Sequence, residues 1–388
     1  MGNLLIKNCV HYKNSEIVDI LIIDSKIKEI VPNQTPQDNF KILNAENRFV
    51  TPGFIDMHIH GAGGCDVQEH NELSLITISE TLTKFGITGF LATTLIAPRI
   101  NNKHLSNVNN VMEKNLGGAK LLGLYLEGPF INEKKRGGIT SDLINEPSKK
   151  LCEDILDISG GALKIMTIAP ELKNISSIIK LLQNAGCLVA FGHSDATYNE
   201  TKSCFEIGVD HITHICNGMA GINHRHPGPV MAVFESGTVT VEIISDGVHL
   251  HPSMVKHIYK NIGIDRCICI SDGIQGMGLE DGVYKYNNRN YISKNGTARY
   301  EDGTLIGSTL DVFEIAKRFM QYTDCSFQEM IKTITINPAK RLGIDDKTGS
   351  INIGKDGDLV LLNKDLSVSS TIINGKIFYQ KTPLIHFF

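Results

Sequence analysis

Short apolar runs alternate with helical stretches through most of the chain. Eight such runs occur at 53–59, 87–94, 121–126, 163–169, 187–192, 209–215, 239–245 and 267–271. Helical periodicity is found between many of them, at 73–85, 175–183, 199–207 and 254–260. This alternation over about 290 residues predicts an α/β fold, a closed (β/α)8 TIM-like barrel, with a doubly wound open sheet as the alternative. Turn residues between 273 and 305 predict a hairpin excursion before a helix at 310–320.

The two ends of the chain have a different pattern. Short apolar runs separated by polar turns occur at 4–10, 17–23, 26–31, 42–47, 359–362, 370–373 and 376–378. They are typical of antiparallel strands, and neither end is long enough to enclose a good core alone. We therefore predict that both termini form one small β-sandwich domain, 1–50 plus 346–388, into which a barrel domain, 51–345, is inserted.

Composition narrows the class of protein. The 388 residues are 41% hydrophobic and 21% charged, which is ordinary for a globular protein. The net charge of -4 is mild, and no basic block predicts a nucleic-acid partner. No apolar run approaches ~20 residues, so no membrane span is expected. The nine cysteines lack the spacing of a disulfide framework, and no signal peptide is visible. We therefore predict a cytoplasmic protein with reduced thiols.

The first barrel run ends in a stretch that contains two histidines. Alternate side chains of a strand share a face, so Asp56, His58 and His60 point the same way. Two imidazoles about 7 Å apart can converge on a metal ion if the chain bends. Gly61-Ala62-Gly63-Gly64 supplies that bend. Taken alone, the stretch is equally well explained by two half-buried histidines that bond to the backbone.

Polar residues follow the carboxyl ends of six of the eight runs. They are His58 and His60, Glu127, His193, His214, Asp246 with His249, and Asp272. In a parallel barrel these positions gather at one rim, where active sites are built. Any one of them could be a satisfied polar residue at a strand end, but the set is hard to explain as packing. The mixture of imidazoles and carboxylates predicts a metal site of the Zn or Fe(II) type.

A metal at this rim would lower the pKa of bound water to roughly 7 and polarise a carbonyl oxygen. A carboxylate is then needed to move protons, and Asp272 is our candidate: it would take a proton as hydroxide attacks and give it to the leaving amine. Its alternative roles are a plain metal ligand or a helix N-cap. Glu127 could bridge two metals, bind one, or orient a histidine. His211, three residues from His214, should face the other side of its strand and is predicted to be structural, and Cys216 is predicted to pack.

Short motifs that have counterparts in a known protein family are spread along nearly the whole chain. They are Pro52-Gly53-Phe54-Ile55-Asp56-Met57-His58-Ile59-His60-Gly61, Leu126-Glu127-Gly128-Pro129-Phe130, Gly192-His193-Ser194, Thr213-His214, Asn217-Gly218-Met219, Asp246-Gly247-Val248-His249, Ser271-Asp272-Gly273, Asp302-Gly303-Thr304-Leu305-Ile306-Gly307-Ser308 and Asn337-Pro338-Ala339. The first resembles the opening of the amidohydrolase superfamily. Together they resemble its N-acetylglucosamine-6-phosphate deacetylase family.

The resemblance implies hydrolysis of the acetamide of N-acetylglucosamine 6-phosphate, an amino-sugar phosphate, to glucosamine 6-phosphate and acetate. The positions that match metal ligands are Glu127, His193 and His214 for a first ion and His58 and His60 for a second. One or two divalent ions, Zn, Fe or Mn/Co-like, are therefore implied, and the His58–His60 pair favours two. Asp272 matches the catalytic acid/base. A homodimer is also implied by the resemblance alone.

The resemblance further implies a wall of substrate-binding residues. The matching positions are Gly138, Ile139, Asn217, Gly218, Arg225, His249, Leu305, Ile306 and Gly307. The guanidinium of Arg225 suits phosphate oxygens, although without the resemblance an exposed loop arginine would be the simpler interpretation. Ile139 stands where the family has a polar side chain, and Gly218 and Ile306 stand where Ala is common. These departures leave open an epimeric substrate such as N-acetylgalactosamine 6-phosphate.

Two other functions stay open at this stage. A cyclic-amide or amino-acid-derivative hydrolase would carry a lysine at the end of the fourth barrel strand, but Lys164 lies at its beginning. A catalytically inactive amidohydrolase-like binding protein is the alternative from another class, since fold does not fix function. Retention of all candidate ligands together with Asp272 argues against it.

Overall fold

The computed structural model describes residues 3–33, 40–286 and 289–381 of the chain. In chain order the strands are β1 (Asn3–His11), β2 (Ile17–Ile23), β3 (Lys26–Val31), β4 (Phe40–Asn44), β5 (Phe49–Pro52), β6 (Phe54–Ile59), β7 (Gly61–Ala62), β8 (Cys65–Asp66), β9 (Ile87–Thr94), β10 (Lys120–Glu127), β11 (Leu163–Ile168), β12 (Leu188–Phe191), β13 (His211–Ile212), β14 (Thr240–Ile243), β15 (Cys267–Cys269), β16 (Gly282–Tyr286), β17 (Arg289–Lys294), β18 (Thr297–Tyr300), β19 (Leu305–Ser308), β20 (Leu359–Leu362), β21 (Val368–Ile373) and β22 (Lys376–Gln380). The α-helices are α1 (Glu72–Thr83), α2 (Lys103–Val111), α3 (Lys149–Ser159), α4 (Ile175–Asn184), α5 (Tyr198–Glu206), α6 (Gly228–Glu235), α7 (Pro252–Ile262), α8 (Val312–Thr323), α9 (Phe327–Thr333) and α10 (Ile336–Arg341).

Eight parallel strands form the barrel, in the order β6-β9-β10-β11-β12-β13-β14-β15. A parallel bridge between Ile59 and Gly273 links the end of β6 to the segment after β15, so that the barrel is nearly closed. Every residue of β6 and β9 is buried, as expected for parallel strands covered on both faces. The predicted parallel barrel is thus confirmed, and the open sheet is not what the chain forms.

Strands from both ends of the chain lie in a second sheet, ordered β22-β21-β20-β5-β1-β2-β3, with β4 paired to β1. The two ends meet where β20 runs antiparallel to β5, with Leu361 opposite Val50. The sandwich form of this part and the proposed boundaries, 1–50 plus 346–388 and 51–345, stay predictions.

Helix ends are set by their capping residues. α8 begins at Val312 because the side chain of Asp311 accepts hydrogen bonds from the backbone N–H groups of Phe313 and Glu314. α5 and α9 each begin with a capping box, formed by Thr197 and Ser326 with the glutamate three residues on. Among the described segments, no helix combines the length and the apolar character needed to cross a bilayer.

The barrel strands that precede His214 and Asp272 are shorter than their apolar runs. The run at 209–215 contributes only β13, His211–Ile212, and the run at 267–271 contributes only β15, Cys267–Cys269. The chain therefore leaves the sheet before it reaches His214 and Asp272. The predicted excursion after the eighth strand is confirmed as a four-stranded antiparallel sheet, β16-β17-β18-β19. All nine cysteines are unpaired thiols, as predicted.

Candidate active site at the carboxyl rim of the barrel

Six predicted side chains, far apart in the chain, lie together beyond the carboxyl ends of the barrel strands. They form two groups, each with its ligand atoms within 4.8 Å of one another: His58, His60 and Asp272 in one, and Glu127, His193 and His214 in the other. The groups adjoin, since His60 Nε2 lies 3.4 Å from Glu127 Oε2. We refer to them as the His58 group and the Glu127 group.

Three of these residues have a left-handed backbone. The φ angles of His193, His214 and Asp272 are 48°, 26° and 47°, a region that residues other than glycine rarely occupy. At Asp272 two backbone hydrogen bonds hold this conformation: the Asp272 N–H donates to His58 O at 3.0 Å, and the Ser308 N–H donates to Asp272 O at 2.9 Å. Such outliers concentrate at functional sites, where the fold fixes side chains in one orientation.

The donor set of the Glu127 group suits a divalent ion. Glu127 Oε1 lies 2.9 Å from both His193 Nε2 and His214 Nε2. The Nδ1 of His193 faces the carbonyl oxygen of Lys135 at 2.7 Å, so it carries the proton and leaves a lone pair on Nε2. A neutral imidazole lone pair and a carboxylate oxygen attract each other at 2.9 Å only with a proton or a cation between them. Burial opposes ionisation of Glu127, but the neighbouring histidines outweigh it and hold the pKa of this carboxyl well below its ordinary value.

The His58 group contains an unpartnered ring nitrogen. His58 Nε2 is buried and has no hydrogen-bond partner among the described residues. It lies 3.6 Å from Asp272 Oδ1, and His60 Nε2 lies 3.6 Å from the same oxygen. Burial lowers the pKa of His58, but Glu242 and two further carboxylates raise it to about 10. A cation that binds at Nε2 must therefore displace a proton, as metal binding to histidine generally does.

Glu242 is part of this cluster, although the sequence pattern did not identify it. It is buried on β14, and its carboxylate lies 3.1 Å from His58 Nδ1 and 3.1 Å from His211 Nε2. His211, predicted to be structural and to face away from His214, therefore belongs to the hydrogen-bonded surroundings of the site. Side-chain alternation did not apply because β13 ends at Ile212. The sequence feature that could have identified Glu242 is its charge, since it lies within the otherwise uncharged barrel run 239–245.

Five of the six residues of the two groups, all except His58, line a cavity of about 150 Å³. Its other lining residues are Leu95, Gly137, Gly138, Ile139, Asn217, Gly218, His249, Tyr286, Leu305, Ile306 and Gly307. All the predicted substrate residues except Arg225 are among them. Arg225 is exposed in the loop before α6 and is not one of the lining residues. Leu95, Gly137 and Tyr286 were not predicted.

His249 links the cavity to the acid/base candidate. Its Nδ1 lies 2.6 Å from Asp246 Oδ2, and its Nε2 lies 3.8 Å from Asp272 Oδ2. The backbone N–H groups of Val248 and His249 also donate to Asp246. The imidazole is thus held from behind, with Nε2 directed towards Asp272.

Gly218 packs closely against its neighbours on the cavity wall. Its φ is +60°, and an added Cβ would lie 2.9 Å from both His193 Nδ1 and the carbonyl oxygen of Lys135. Alanine at this position would push against the hydrogen bond that fixes His193.

Comparisons with known proteins place the chain in one family. A family model described as "Amidohydrolase family" matches residues 49–378. N-acetylglucosamine-6-phosphate deacetylase of Bacillus subtilis (strain 168) is 34% identical over 386 residues, covering 97% of each chain. N-acetylgalactosamine-6-phosphate deacetylase of Escherichia coli O157:H7 is 30% identical, covering 87% of this chain and 89% of that one. A mutant N-acetyl-D-glucosamine-6-phosphate deacetylase from Mycobacterium smegmatis, solved with N-acetyl-D-glucosamine-6-phosphate, has a TM-score of 0.88 and 26% identity, covering 98% of this chain and 99% of that one.

Proposed function

The chain belongs to the amidohydrolase family, and on that premise we propose that it hydrolyses the acetamide of N-acetylglucosamine 6-phosphate to glucosamine 6-phosphate and acetate. The observation that carries the proposal is the meeting of the His58 and Glu127 groups at one rim, beside a cavity. Packing alone does not account for six imidazole and carboxylate side chains directed at one another.

The Glu127 group is the proposed primary metal site, and His58 with His60 would hold a second ion. The proposed ions are Zn, Fe or Mn/Co-like, because imidazole and carboxylate donors without cysteine suit these metals. When bound, a divalent ion supplies Lewis-acid activation of a water and of the amide carbonyl. The Glu127 group, His58 and His60 would hold the ions in place, and their carboxylate would balance part of the ions' positive charge.

Asp272 is the proposed general base and acid. Its carboxylate accepts a proton from the attacking water and returns it to the nitrogen of the leaving amine. The backbone contacts to His58 and Ser308 fix it at the strand end, so that little reorientation is needed between the two transfers. His249 Nε2, 3.8 Å from Asp272 Oδ2, would orient a polar group of the substrate beside it.

The remaining lining residues would bind the sugar phosphate. Asn217, Gly218 and His249 present polar groups, whereas Ile139, Leu305 and Ile306 present apolar surface. Gly138 and Gly307 allow close approach of the backbone: a Cβ at Gly307 would lie 2.8 Å from Asp272 O. We include Arg225 as a phosphate ligand only if its exposed loop moves towards the cavity.

The test is acetate release by purified, metal-loaded protein from a panel of N-acetylated amino sugars. The panel contains N-acetylglucosamine 6-phosphate, N-acetylgalactosamine 6-phosphate and both sugars without phosphate. We expect the glucosamine phosphate to be hydrolysed fastest and loss of the phosphate to reduce kcat/KM. Faster hydrolysis of the galactosamine phosphate would establish the epimeric alternative, which the apolar Ile139 side chain in the cavity leaves open. No turnover of any compound in the panel would disprove the deacetylase proposal and leave the inactive binding protein.

One further function receives less support. The cyclic-amide alternative needs a lysine at the active rim, but Lys164 lies near the start of β11 and donates to Gly161 O.

We also propose a homodimer in the cytoplasm without nucleic-acid or membrane partners. Sedimentation analysis tests the dimer, since a monomer at working concentrations would contradict it.

A further inference from the structure

Behind the two proposed metal groups lies a buried chain of hydrogen bonds. Thr240 Oγ1 lies 2.7 Å from His211 Nδ1, and His211 Nε2 lies 3.1 Å from Glu242 Oε1. The other carboxylate oxygen, Oε2, lies 3.1 Å from His58 Nδ1. This series of hydrogen bonds thus runs from Thr240, the first residue of β14, to the imidazole ring of His58, whose Nε2 faces Asp272.

Glu242 also contacts the second group. Its Oε2 accepts a hydrogen bond from the backbone N–H of His214 at 3.2 Å. This N–H belongs to a residue with a φ of 26°, so the contact holds a strained turn in place. One carboxylate therefore touches a candidate ligand from each group: the side chain of His58 and the backbone of His214.

Glu242 is fully buried, and so are His58 and His211, the two histidines that it contacts. An ionised carboxylate removed from water is unfavourable by several kcal/mol unless it is well paired, and apolar replacements of similar volume often stabilise a protein. The other residues of β14 (Thr240–Ile243) are uncharged, so packing of the strand gives no reason for a charge at this position. The contacts of Glu242 with the His58 side chain and the His214 backbone give that reason.

We propose that Glu242 is a positioning residue that presets His58 as a metal ligand and ties the two metal positions together. An ionised carboxylate can only accept, so Nδ1 of His58 keeps its proton and Nε2, which faces Asp272, is the nitrogen that exchanges its proton for a metal ion. Carboxylates behind metal-binding histidines fix the tautomer, orient the ring and increase its basicity. His211, held by Thr240, fixes the carboxylate in turn. The inference rests on the proposed function only in requiring that divalent ions bind.

The test compares ion affinities at the two groups. Wild type and Glu242→Gln are titrated with Co²⁺ against a competing chelator, and the d–d absorption bands of the first and second ion are recorded. Glu242→Gln keeps the shape but removes the charge. We expect the affinity for the ion at the His58 group to fall about 10–100-fold, with an altered band for that ion, while the affinity at the Glu127 group changes less.

Tyr125→Phe is the matched control. The ring of Tyr125 lies 4.7 Å from that of His58, and its hydroxyl bonds to Thr213 at 2.7 Å, so the control removes an equally buried polar group beside the same histidine. It should leave both affinities unchanged. Equal affinities in wild type and Glu242→Gln, or the same loss in Tyr125→Phe, would overturn the inference.

A measurement on wild-type protein covers the case in which Glu242→Gln does not fold. In the Zn²⁺-loaded protein with ¹⁵N-labelled histidine, His58 should show a slowly exchanging proton on Nδ1 and a metal-bound Nε2, assigned by its absence in His58→Asn. Metal on Nδ1 of His58 would overturn the inference. A wild type that binds both ions as described but deacetylates none of the panel would instead remove the proposed substrate and leave the role of Glu242 intact.

Discussion

The two ends of the barrel both bury charged side chains, but they balance the charge differently. At the amino end, Lys120 Nζ lies 2.8 Å from Asp358 Oδ2 and 3.0 Å from Asp356 Oδ2, and Lys26 Nζ lies 2.6 Å from Asp356 Oδ1. Positive and negative groups alternate there within hydrogen-bond distance. At the carboxyl end, the His58 and Glu127 groups contain imidazoles and carboxylates only.

This difference separates a structural cluster from a chemical one. The amino-end cluster joins β10 of the barrel to the segment before β20, so it links the barrel to the sheet formed by the chain termini. It is neutralised by its own side chains. Neither group at the carboxyl end contains a lysine or an arginine, so its carboxylates are balanced by protons on the imidazoles or by divalent ions that replace those protons. In barrels of this type, the amino face generally serves stability and the carboxyl face chemistry.

Removal of divalent ions should have the largest effect, and only at the carboxyl end. Dialysis against a chelator should abolish deacetylation, because the ions supply the Lewis acid. It should also lower the unfolding temperature, since ions that bind only the folded state stabilise it. Ion content, acetate release and thermal unfolding are measured on the same samples, and readdition of Zn²⁺ or Co²⁺ should restore all three. Full activity in protein without measurable ions would contradict the assignment of both groups.

Asp272→Asn should reduce kcat by about 10²–10⁴-fold, because the amide cannot accept and return the proton. Ion binding at the Glu127 group should persist, since Asp272 is not a member of it. The measurement is steady-state kinetics with ion content determined in parallel. Asp142→Asn, which alters an exposed carboxylate, is the control and should have the wild-type rate. An undiminished rate in Asp272→Asn would assign the proton transfer to another residue.

Lys120→Met should lower the free energy of unfolding by about 2–4 kcal/mol, because it leaves buried Asp358 without its counter-charge. Activity of the folded protein should not change. The control is Lys114→Met, whose partner Glu72 is exposed, with an expected effect below about 1 kcal/mol. Urea unfolding measures both. A loss of kcat as large as the loss of stability would show that the two ends are not independent.

We also expect Lys120→Met to change how the free energy of unfolding depends on pH. Burial alone would lower the pKa of Lys120, but the charges and hydrogen bonds of Asp358 and Asp356 outweigh it and raise that pKa. The stabilisation is therefore complete below the ordinary lysine pKa of about 10.4 and is lost as the pH rises through the higher value of the folded protein. Between these values the stability of wild type should fall with pH more steeply than that of Lys120→Met. Parallel alkaline profiles would contradict the pairing.

Ile139→Gln should have the smallest effect, on the substrate wall of the carboxyl end. A glutamine there could donate a hydrogen bond to the sugar, which is worth about 0.5–1.5 kcal/mol, or roughly 2–10-fold in KM. We expect kcat to stay near the wild-type value, because Ile139 lines the cavity but belongs to neither the His58 group nor the Glu127 group. The ratio of kcat/KM for the two epimeric sugar phosphates is the readout. An unchanged ratio and KM would place Ile139 outside the substrate contacts.

Periodicity and strand-end chemistry were sufficient to predict the barrel and the six rim residues. Parallel strands must present all their carboxyl ends on one side, so a polar residue after a barrel strand is placed at the rim by chain order alone. This is why residues as far apart as His58 and Asp272 could be grouped without coordinates. The pairing of the two termini was predicted for a similar reason: neither could bury a core without the other.

Contacts across the barrel interior required the folded structure. Glu242 and His211 act on His58 through space, and their positions depend on where β13 ends and how far β14 is shifted against it. The placement of Arg225 outside the cavity likewise depends on a loop that no periodic pattern constrains. Local patterns specify which face of an element a side chain occupies. Which two faces meet, and at what distance, is set by the packing of elements against one another, because that packing is a property of the whole chain.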